Sequence, residues 1–258
     1  MGILNTPVQE SFDFEAVFDV QDYLYFYQES LTLERAQMEV DALVRELSLD
    51  EACSILDLAC GFGRHANALA SLGHAVTGVD LTPGFLEIAQ RKAQEKNIPT
   101  KFLQADMRQI DFNQEFDHVL LLFTSFGYFE DDDNQLVLEN VRQALKPGGL
   151  FVFETHNRDV FLKRLQPFMV MEKGEDLMID RGSFDTITGR WYNRRIVIRD
   201  GVRKDKPFFV RLYNPSEIEQ MINQAGMQVH KMLGGYDSQP LSNESSRMVI
   251  IAKKPDAE

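Results

Sequence analysis

The chain is poor in three things whose absence narrows its function. No run of about 18 apolar residues free of charge occurs anywhere in its 258 residues, so a membrane-spanning helix is not expected. Only two cysteines are present, Cys53 and Cys60. Seven apart in one segment, they match no metal-binding or redox spacing, which points to a reducing, cytoplasmic setting without structural disulfides. Basic residues are outnumbered: 27 Lys and Arg stand against 40 Asp and Glu, a formal charge of −13. A surface of that sign repels nucleic acid and anionic membranes, so neither is an expected partner. The opening stretch MGILNTPVQESFDFE has no basic segment leading into an apolar one, so it does not read as a secretory signal.

What is present is an ordinary globular composition, 44% apolar and 26% charged. From about Ser54 to Thr155 short apolar runs alternate with helix-period segments. SILDLA, HAVTGVD, TKFLQAD, FDHVLLLF and GLFVFET read as strands; RHANALASL, PGFLEIAQRKAQEKN and DDDNQLVLENVRQAL read as helices. This alternation predicts βαβ units, a doubly wound, mostly parallel sheet, and ligand sites at the carboxyl ends of the strands. Pro83 after Thr82 fits a first helical turn, Asp131 to Asp133 suit a solvated helix start, and Pro147-Gly148-Gly149 fits a helix stop.

Outside this stretch the pattern changes. SLTLERAQMEVDALVRELSL predicts an amphipathic helix, preceded by the aromatics Tyr23, Tyr25, Phe26 and Tyr27. From about Met169 to Tyr213 alternating residues, with turns at Thr188-Gly189 and Asp200-Gly201, predict an antiparallel hairpin set. PSEIEQMINQAG then reads as a helix, and QVHKML and RMVIIAKK as two strands. The expected organisation is a helical cap over 1–50, a Rossmann-like domain from 51–166 and 214–258, and an inserted β subdomain over 167–213.

The segment most informative about chemistry is ILDLACGFGRHA. A strand ends near Asp57, Gly61 and Gly63 follow, and a helix opens near Arg64. Glycines let backbone approach a ligand, and the helix N-terminus offers free N–H groups to an anionic group. Taken alone, G-x-G-x-x-A also fits a dinucleotide fingerprint. Asp80 closes the second strand, where a carboxylate can accept two ribose hydroxyls or cap the following helix. Asp57 points into the loop, where it would repel a pyrophosphate but not a cationic or zwitterionic ligand. Asp106, ending the third strand, can accept from an adenine amino group.

With these features assembled, the chain resembles the class I S-adenosylmethionine-dependent methyltransferases, specifically their small-molecule branch. The resemblance runs from about Leu24 to Lys254. It is carried by DLACGFG, VTGVDLT, QADM, FDHVLLLFTSFGYF and LKPGG, with Ala59 replacing the first loop glycine, a small-for-small change expected to cost little. It implies S-adenosylmethionine as cofactor, with Asp57, Ala59, Gly61 and Gly63 around the methionine moiety. It also implies Asp80 on the ribose, Asp106 on the adenine amino group, Met107 beside the ring, and Leu81 and Leu122 on the cofactor. The implied strand order is 3-2-1-4-5-7-6, with the seventh strand antiparallel and inserted between five and six.

Methyl transfer from a sulfonium asks the protein mainly for alignment, exclusion of water and, for some acceptors, removal of a proton. No metal is required, and no His, Cys or Asp grouping has metal spacing. Tyr128, after the fourth strand, either borders the methyl site or packs beside the loop. His156, after the fifth strand, is the best-placed general base of five histidines or else a structural hydrogen-bonding group. His65 opens the first helix and reads as packed or bonded to backbone; His74, His118 and His230 read as strand or surface positions. Tyr23 and Tyr27 share one helical face. Similar family members close such a segment over the cofactor, which would put Tyr27 on the cofactor and Tyr23 on the substrate; core packing is the alternative.

Residues 181–211 hold nine Lys or Arg against three acids. Some of these cations, Arg181 and Arg211 first, either bind an acidic group on the substrate or decorate the solvent side of the hairpins. The expected activity is methyl transfer to an oxygen, nitrogen or carbon of a small metabolite, an anionic one where those cations face the site, with RNA or protein methylation, a silent cofactor-binding protein and a nicotinamide dehydrogenase as alternatives. Acceptor identity and oligomeric state are not legible.

Overall fold

The structure, a computed structural model, describes residues 12–257. Most of the opening stretch without a leader pattern, and the start of the 1–50 cap, lie outside the described residues. In chain order the elements are α1 (Phe14–Val17), α2 (Val20–Tyr27), α3 (Leu33–Leu47), β1 (Ser54–Leu58), α4 (Arg64–Ser71), β2 (Ala75–Asp80), α5 (Pro83–Glu95), β3 (Lys101–Gln104), β4 (Phe116–Leu121), α6 (Asp131–Ala144), β5 (Leu145–His156) and α7 (Arg158–Arg164). The chain continues with β6 (Phe168–Lys173), β7 (Asp176–Asp185), β8 (Arg190–Arg199), β9 (Val202–Arg211), α8 (Pro215–Gln224), β10 (Gln228–Leu233) and β11 (Arg247–Lys253). Two compact units emerge. The larger takes Tyr27–Leu165 and Arg211–Glu258; the smaller takes Gln166–Val210 with the described part of Met1–Phe26.

The larger unit is built on a seven-stranded sheet of order β10-β11-β5-β4-β1-β2-β3. Strands β1 to β5 pair in parallel, while β11 runs antiparallel to both β5 and β10. This is the predicted order 3-2-1-4-5-7-6, with RMVIIAKK as the inserted strand. Parallel strands covered by helices on both faces must be apolar throughout, and β1 and β4 show this: Ile55, Leu56, Leu58, Val119, Leu120 and Leu121 are all buried. One side of the sheet packs Ile55, Leu120, Val152 and Ile251 against Val40, Leu43 and Leu47 of α3 and Ala66 and Leu69 of α4. On the other side, Phe151 and Phe153 lie in contact, and Phe126 bridges Phe153 to Tyr213.

Local sequence sets the helix ends. Thr32 caps α3 by accepting from Arg35 N–H, and Asn214 with Glu217 forms a reciprocal capping box at α8, whose first residue is Pro215. Pro83 starts α5 as predicted, but the Thr82 side chain makes no cap bond there. The LKPGG segment does not stand apart as a turn. It forms the irregular start of β5, which pairs Leu145 with Phe116 and then Leu150 with His118, so extra residues bulge between the two registers.

The smaller unit carries a four-stranded antiparallel sheet, β6-β7-β8-β9. The expected reversals occur around Thr188-Gly189 and at Asp200-Gly201, where both residues have positive φ, as a tight hairpin turn requires. A third reversal, at Gly174, joins β6 to β7. The edge strand β6 leaves Phe168, Met169 and Val170 exposed.

One buried lysine ties the end of the sheet to a helix. Lys254 Nζ donates to the carbonyls of Arg142 (2.9 Å) and Leu145 (2.6 Å), answering the unpaired acceptors at the carboxyl end of α6. Lys254→Met keeps the stem but leaves both carbonyls without that donor; urea unfolding is expected to show a loss of about 1–3 kcal/mol.

Candidate active site

At the carboxyl end of β1 the chain bends sharply. Ala59, Gly61 and Gly63 all have positive φ (51°, 54° and 74°), so three of five successive residues sit in the left-handed region. At Gly63 a side chain is excluded outright: a Cβ would come within 2.8 Å of the Ala89 Cβ and 2.9 Å of the Phe102 ring. At Gly61 the space is open, with no atom within 4 Å of a Cβ position. Ala59 is therefore less innocuous than its size suggests, since an L-residue held left-handed costs about 1 kcal/mol.

Carboxylates hold this bend. Asp80 Oδ2 accepts from Gly61 N–H (2.8 Å) and Oδ1 accepts from Thr82 N–H (2.8 Å), so one side chain fastens the glycine bend and opens α5. Burial raises its pKa. Asp57 accepts from Ala66 N–H, while its Oδ2 is buried with no partner. Burial pushes the Asp57 carboxyl up to about 7; nearby Arg64 opposes the rise and Asp80 adds to it. Arg64 in turn is buried with Nη2 unbonded. An unmet acceptor and an unmet donor, of opposite formal sign, thus flank the bend.

Asp106 is gripped by Arg108, which donates from Nε (3.1 Å) and Nη2 (2.6 Å) and also reaches Asp133 (2.8 Å). Burial would raise the Asp106 pKa, but these bonds outweigh it and hold it low. The Arg108 guanidinium lies 4.3 Å from the Phe129 ring centroid. The Met107 carbonyl accepts from Asn140, Leu81 is exposed, and Leu122 is buried at the end of β4.

Beyond β4 the backbone is strained. Phe123 and Thr124 have φ of 57° and 58°, two adjacent non-glycine residues in the left-handed region. Tyr128 lies half-buried in the same loop. His156 ends β5, and its Nδ1 lies 3.1 Å from Arg247 Nη1. Because arginine only donates, Nδ1 accepts and Nε2 carries the ring proton. Burial, with Arg247 adding to it, pushes the His156 pKa down to about 3. In this arrangement the ring is set to donate a hydrogen bond from Nε2.

The acidic start of α6 is not simply solvated. Asp131 accepts from Tyr213 (2.7 Å) and Arg211 (3.1 Å), and Asp133 from Arg108. Arg211 also donates to Glu217 (2.6 Å) and to the Leu212 carbonyl, so its guanidinium is committed within the larger unit. In the smaller unit the basic run is likewise largely paired. Arg195 makes a two-bond pair with Asp180, and Arg199, Lys204 and Lys206 converge on buried Asp22. Arg181 is exposed on β7 beside Phe168. Tyr23 and Tyr27 both lie on α2, with Tyr23 6.2 Å from Phe18.

Two buried glutamates escape a reading by spacing. Glu39 on α3 accepts from Arg35 (2.8 Å), Arg64 (2.5 Å) and His65 (2.7 Å). Burial opposes its ionisation, but these partners outweigh it and bring the pKa down to about 2. His65 therefore bonds a side chain, not backbone. Glu154 of β5 accepts from Phe123 N–H and from the Tyr236 hydroxyl. The available signal was a carboxylate on an apolar face: Glu39 between Ala36, Val40 and Leu43, and Glu154 inside FVFETH. Among the described residues, no group of three or more His, Cys, Asp or Glu is placed to hold a metal ion, and no helix is long and apolar enough to cross a membrane.

A doubly wound sheet with a glycine bend after β1 and acids ending β2 and β3 defines a Rossmann-like, nucleoside-cofactor enzyme. Residues 55–149 match the family model described as a methyltransferase domain. A dTDP-4-amino-2,3,4,6-tetradeoxy-D-glucose N,N-dimethyltransferase from Saccharopolyspora spinosa is 30% identical over 205 residues, spanning 76% of this chain and 79% of that protein. Among solved structures, an S-adenosylmethionine-dependent methyltransferase from Clostridium acetobutylicum superposes with a TM-score of 0.78 at 18% identity, over 91% of this chain and 97% of that one. A cofactor-bound amino pentose methyltransferase from Micromonospora echinaspora gives 0.66 at 18% identity, over 90% and 96%. The chain belongs to the class I S-adenosylmethionine-dependent methyltransferases. It is an enzyme, and S-adenosylmethionine is its cofactor.

Asp57 generates a prediction with a defined sign. Its carboxyl stays protonated in the fold up to about pH 7, whereas an unfolded aspartate ionises near 3.9. Between those values the folded state binds more protons, so this group erodes stability as pH rises. Asp57→Asn removes the erosion: without ligand, its Tm is expected to exceed wild type by several degrees at pH 8, with the gap closing toward pH 4. Equal gaps at both ends of that range would refute the assignment.

Proposed function

We propose that the enzyme methylates an oxygen, nitrogen or carbon of a small metabolite, and that the glycine bend of the larger unit receives the methionine end of the cofactor. The observation that carries the placement is the pair of buried, unbonded groups flanking the bend: Asp57 Oδ2, which can accept from an ammonium, and Arg64 Nη2, which can donate to a carboxylate. A zwitterion satisfies both, its ammonium favouring the ionised Asp57 carboxyl; a pyrophosphate, anionic and acceptor-only, brings Asp57 no donor. The open space at Gly61 leaves room for close approach, with Ala59 and Gly63 shaping the same bend. Asp80 and Asp106 are the ribose and adenine acceptors, with Leu81, Met107 and Leu122 the apolar and backbone contacts; Tyr27 is assigned to the cofactor as well. When bound, the sulfonium supplies a methyl group with its own leaving group.

The chain's own groups then have to align the acceptor and exclude water. His156 offers Nε2–H as a donor and Tyr128 stands on the loop after β4; these are the groups of the larger unit assigned to the acceptor side. With Arg211 engaged by Asp131 and Glu217, Arg181 is the better candidate of the two for an acidic group on the substrate. Relatives named for N-methylation of amino sugars make a sugar amine the first acceptor to try. Cys53 and Cys60, both free thiols, fit a reducing cytoplasmic setting.

Calorimetry with S-adenosylhomocysteine and with NADH tests the cofactor placement. Binding of the first and none of the second is expected, with Asp80→Ala weakening the first by about tenfold or more through loss of charge-assisted bonds. Incubation with methyl-labelled cofactor, amino sugars and a metabolite extract, read by mass spectrometry, is expected to yield a labelled small molecule. Label found only on RNA or protein would overturn the substrate class.

A further inference from the structure

Phe123 and Thr124 stand side by side in the left-handed region, a strained conformation for non-glycine residues. Such backbone persists only where its surroundings over-determine it. Here the restraint comes from two buried glutamates far apart in sequence. Glu154 Oε2 accepts from Phe123 N–H (3.1 Å) and from the Tyr236 hydroxyl (2.9 Å), while Arg247 Nε lies 3.5 Å from Oε1. On the ring side, the guanidiniums of Arg35 and Arg64 lie 5.2 and 5.0 Å from the Phe123 ring centroid, and Glu39 bonds both. Glu154 is only 1% exposed, in a strand whose neighbours Val152 and Phe153 are apolar. A carboxylate is a costly choice for packing a sheet. What it accomplishes, and an apolar residue could not, is to accept the amide of a strained loop.

We propose that Glu154 is a positioning residue for methyl transfer. Its carboxylate, steadied by Tyr236, pins the Phe123 amide and so fixes segment 122–128, including Tyr128, at the mouth of the acceptor site. The proposal rests on the reading above that the loop after β4 borders the acceptor. Glu154 touches neither substrate nor cofactor in this role, so its loss acts mainly on turnover, and any loss of cofactor affinity passed on through Leu122 or Arg64 is the smaller effect.

The test compares Glu154→Ala, Glu154→Gln and Tyr236→Phe with wild type in three measurements: S-adenosylhomocysteine affinity, labelled-product formation at saturating acceptor, and amide hydrogen exchange resolved by mass spectrometry. Glu154→Ala is expected to lower turnover about tenfold to hundredfold, the scale of a misplaced active-site wall, with faster exchange confined to 122–128. Glu154→Gln, whose amide oxygen can still accept from Phe123 N–H, restores much of both, and Tyr236→Phe falls between. Because the two milder variants keep the buried volume, they carry the test if Glu154→Ala does not fold. Turnover within about twofold of wild type in Glu154→Ala, or in Tyr236→Phe where Glu154→Ala does not fold, or a fall without faster exchange in 122–128, overturns the proposal. Failure of wild type to bind S-adenosylhomocysteine would instead remove the functional reading on which it stands.

Discussion

A carboxylate carried into the end of a buried strand must be given hydrogen-bond donors, and in this fold the nearest donors are backbone N–H groups of the loops that follow. That obligation shapes the carboxyl edge of the main sheet. Asp80 collects the amides of Gly61 and Thr82, so the turn after one strand is held by the acid of its neighbour. Glu154 does the same for Phe123 after β4. The loops lining this edge are thus set by charge-assisted bonds between strands, and the left-handed residues at 59, 61, 63, 123 and 124 cluster where those bonds act.

The edge also shows where satisfaction stops. Asp57 and Arg64 each keep one buried polar atom unbonded, although both are otherwise engaged with their surroundings. Unbonded buried atoms of this kind are exceptions in protein interiors, and each asks for a physical reason. Glu39 supplies the contrast: its oxygens serve two arginines and a histidine, and its ionised form is stabilised despite deep burial.

Much of the architecture was legible because it depends on local pattern. Apolar runs of strand length, separated by helix-period segments, give β1 to β5 and their connections, and the motif resemblance supplies the order of the last two strands. The glycine bend and its acids were legible for the same reason, being packed into two short segments. The glutamate clamps were not. Residue 39 meets 64 and 65, and residue 154 meets 123 and 236, only after the chain has folded, and no spacing rule links them. The basic run between 181 and 211 was visible as charge, but its partners, Asp22 and Asp180 among them, are selected by strand pairing and helix docking. His156 was visible as a strand-end histidine, yet the proton it carries is decided by Arg247, ninety-one residues away.

The four-stranded sheet leaves the larger unit after Leu165 and returns at Arg211, whose backbone N–H bonds the Gly127 carbonyl and whose side chain is anchored by two acids. Both joints lie outside the segments that carry Asp57, Asp80 and Asp106. Natural variation can therefore rewrite the excursion, lengthening hairpins or exchanging its surface, without retuning the seven-stranded scaffold, and a chimera spliced at these two seams would inherit one protein's donor chemistry together with another's excursion.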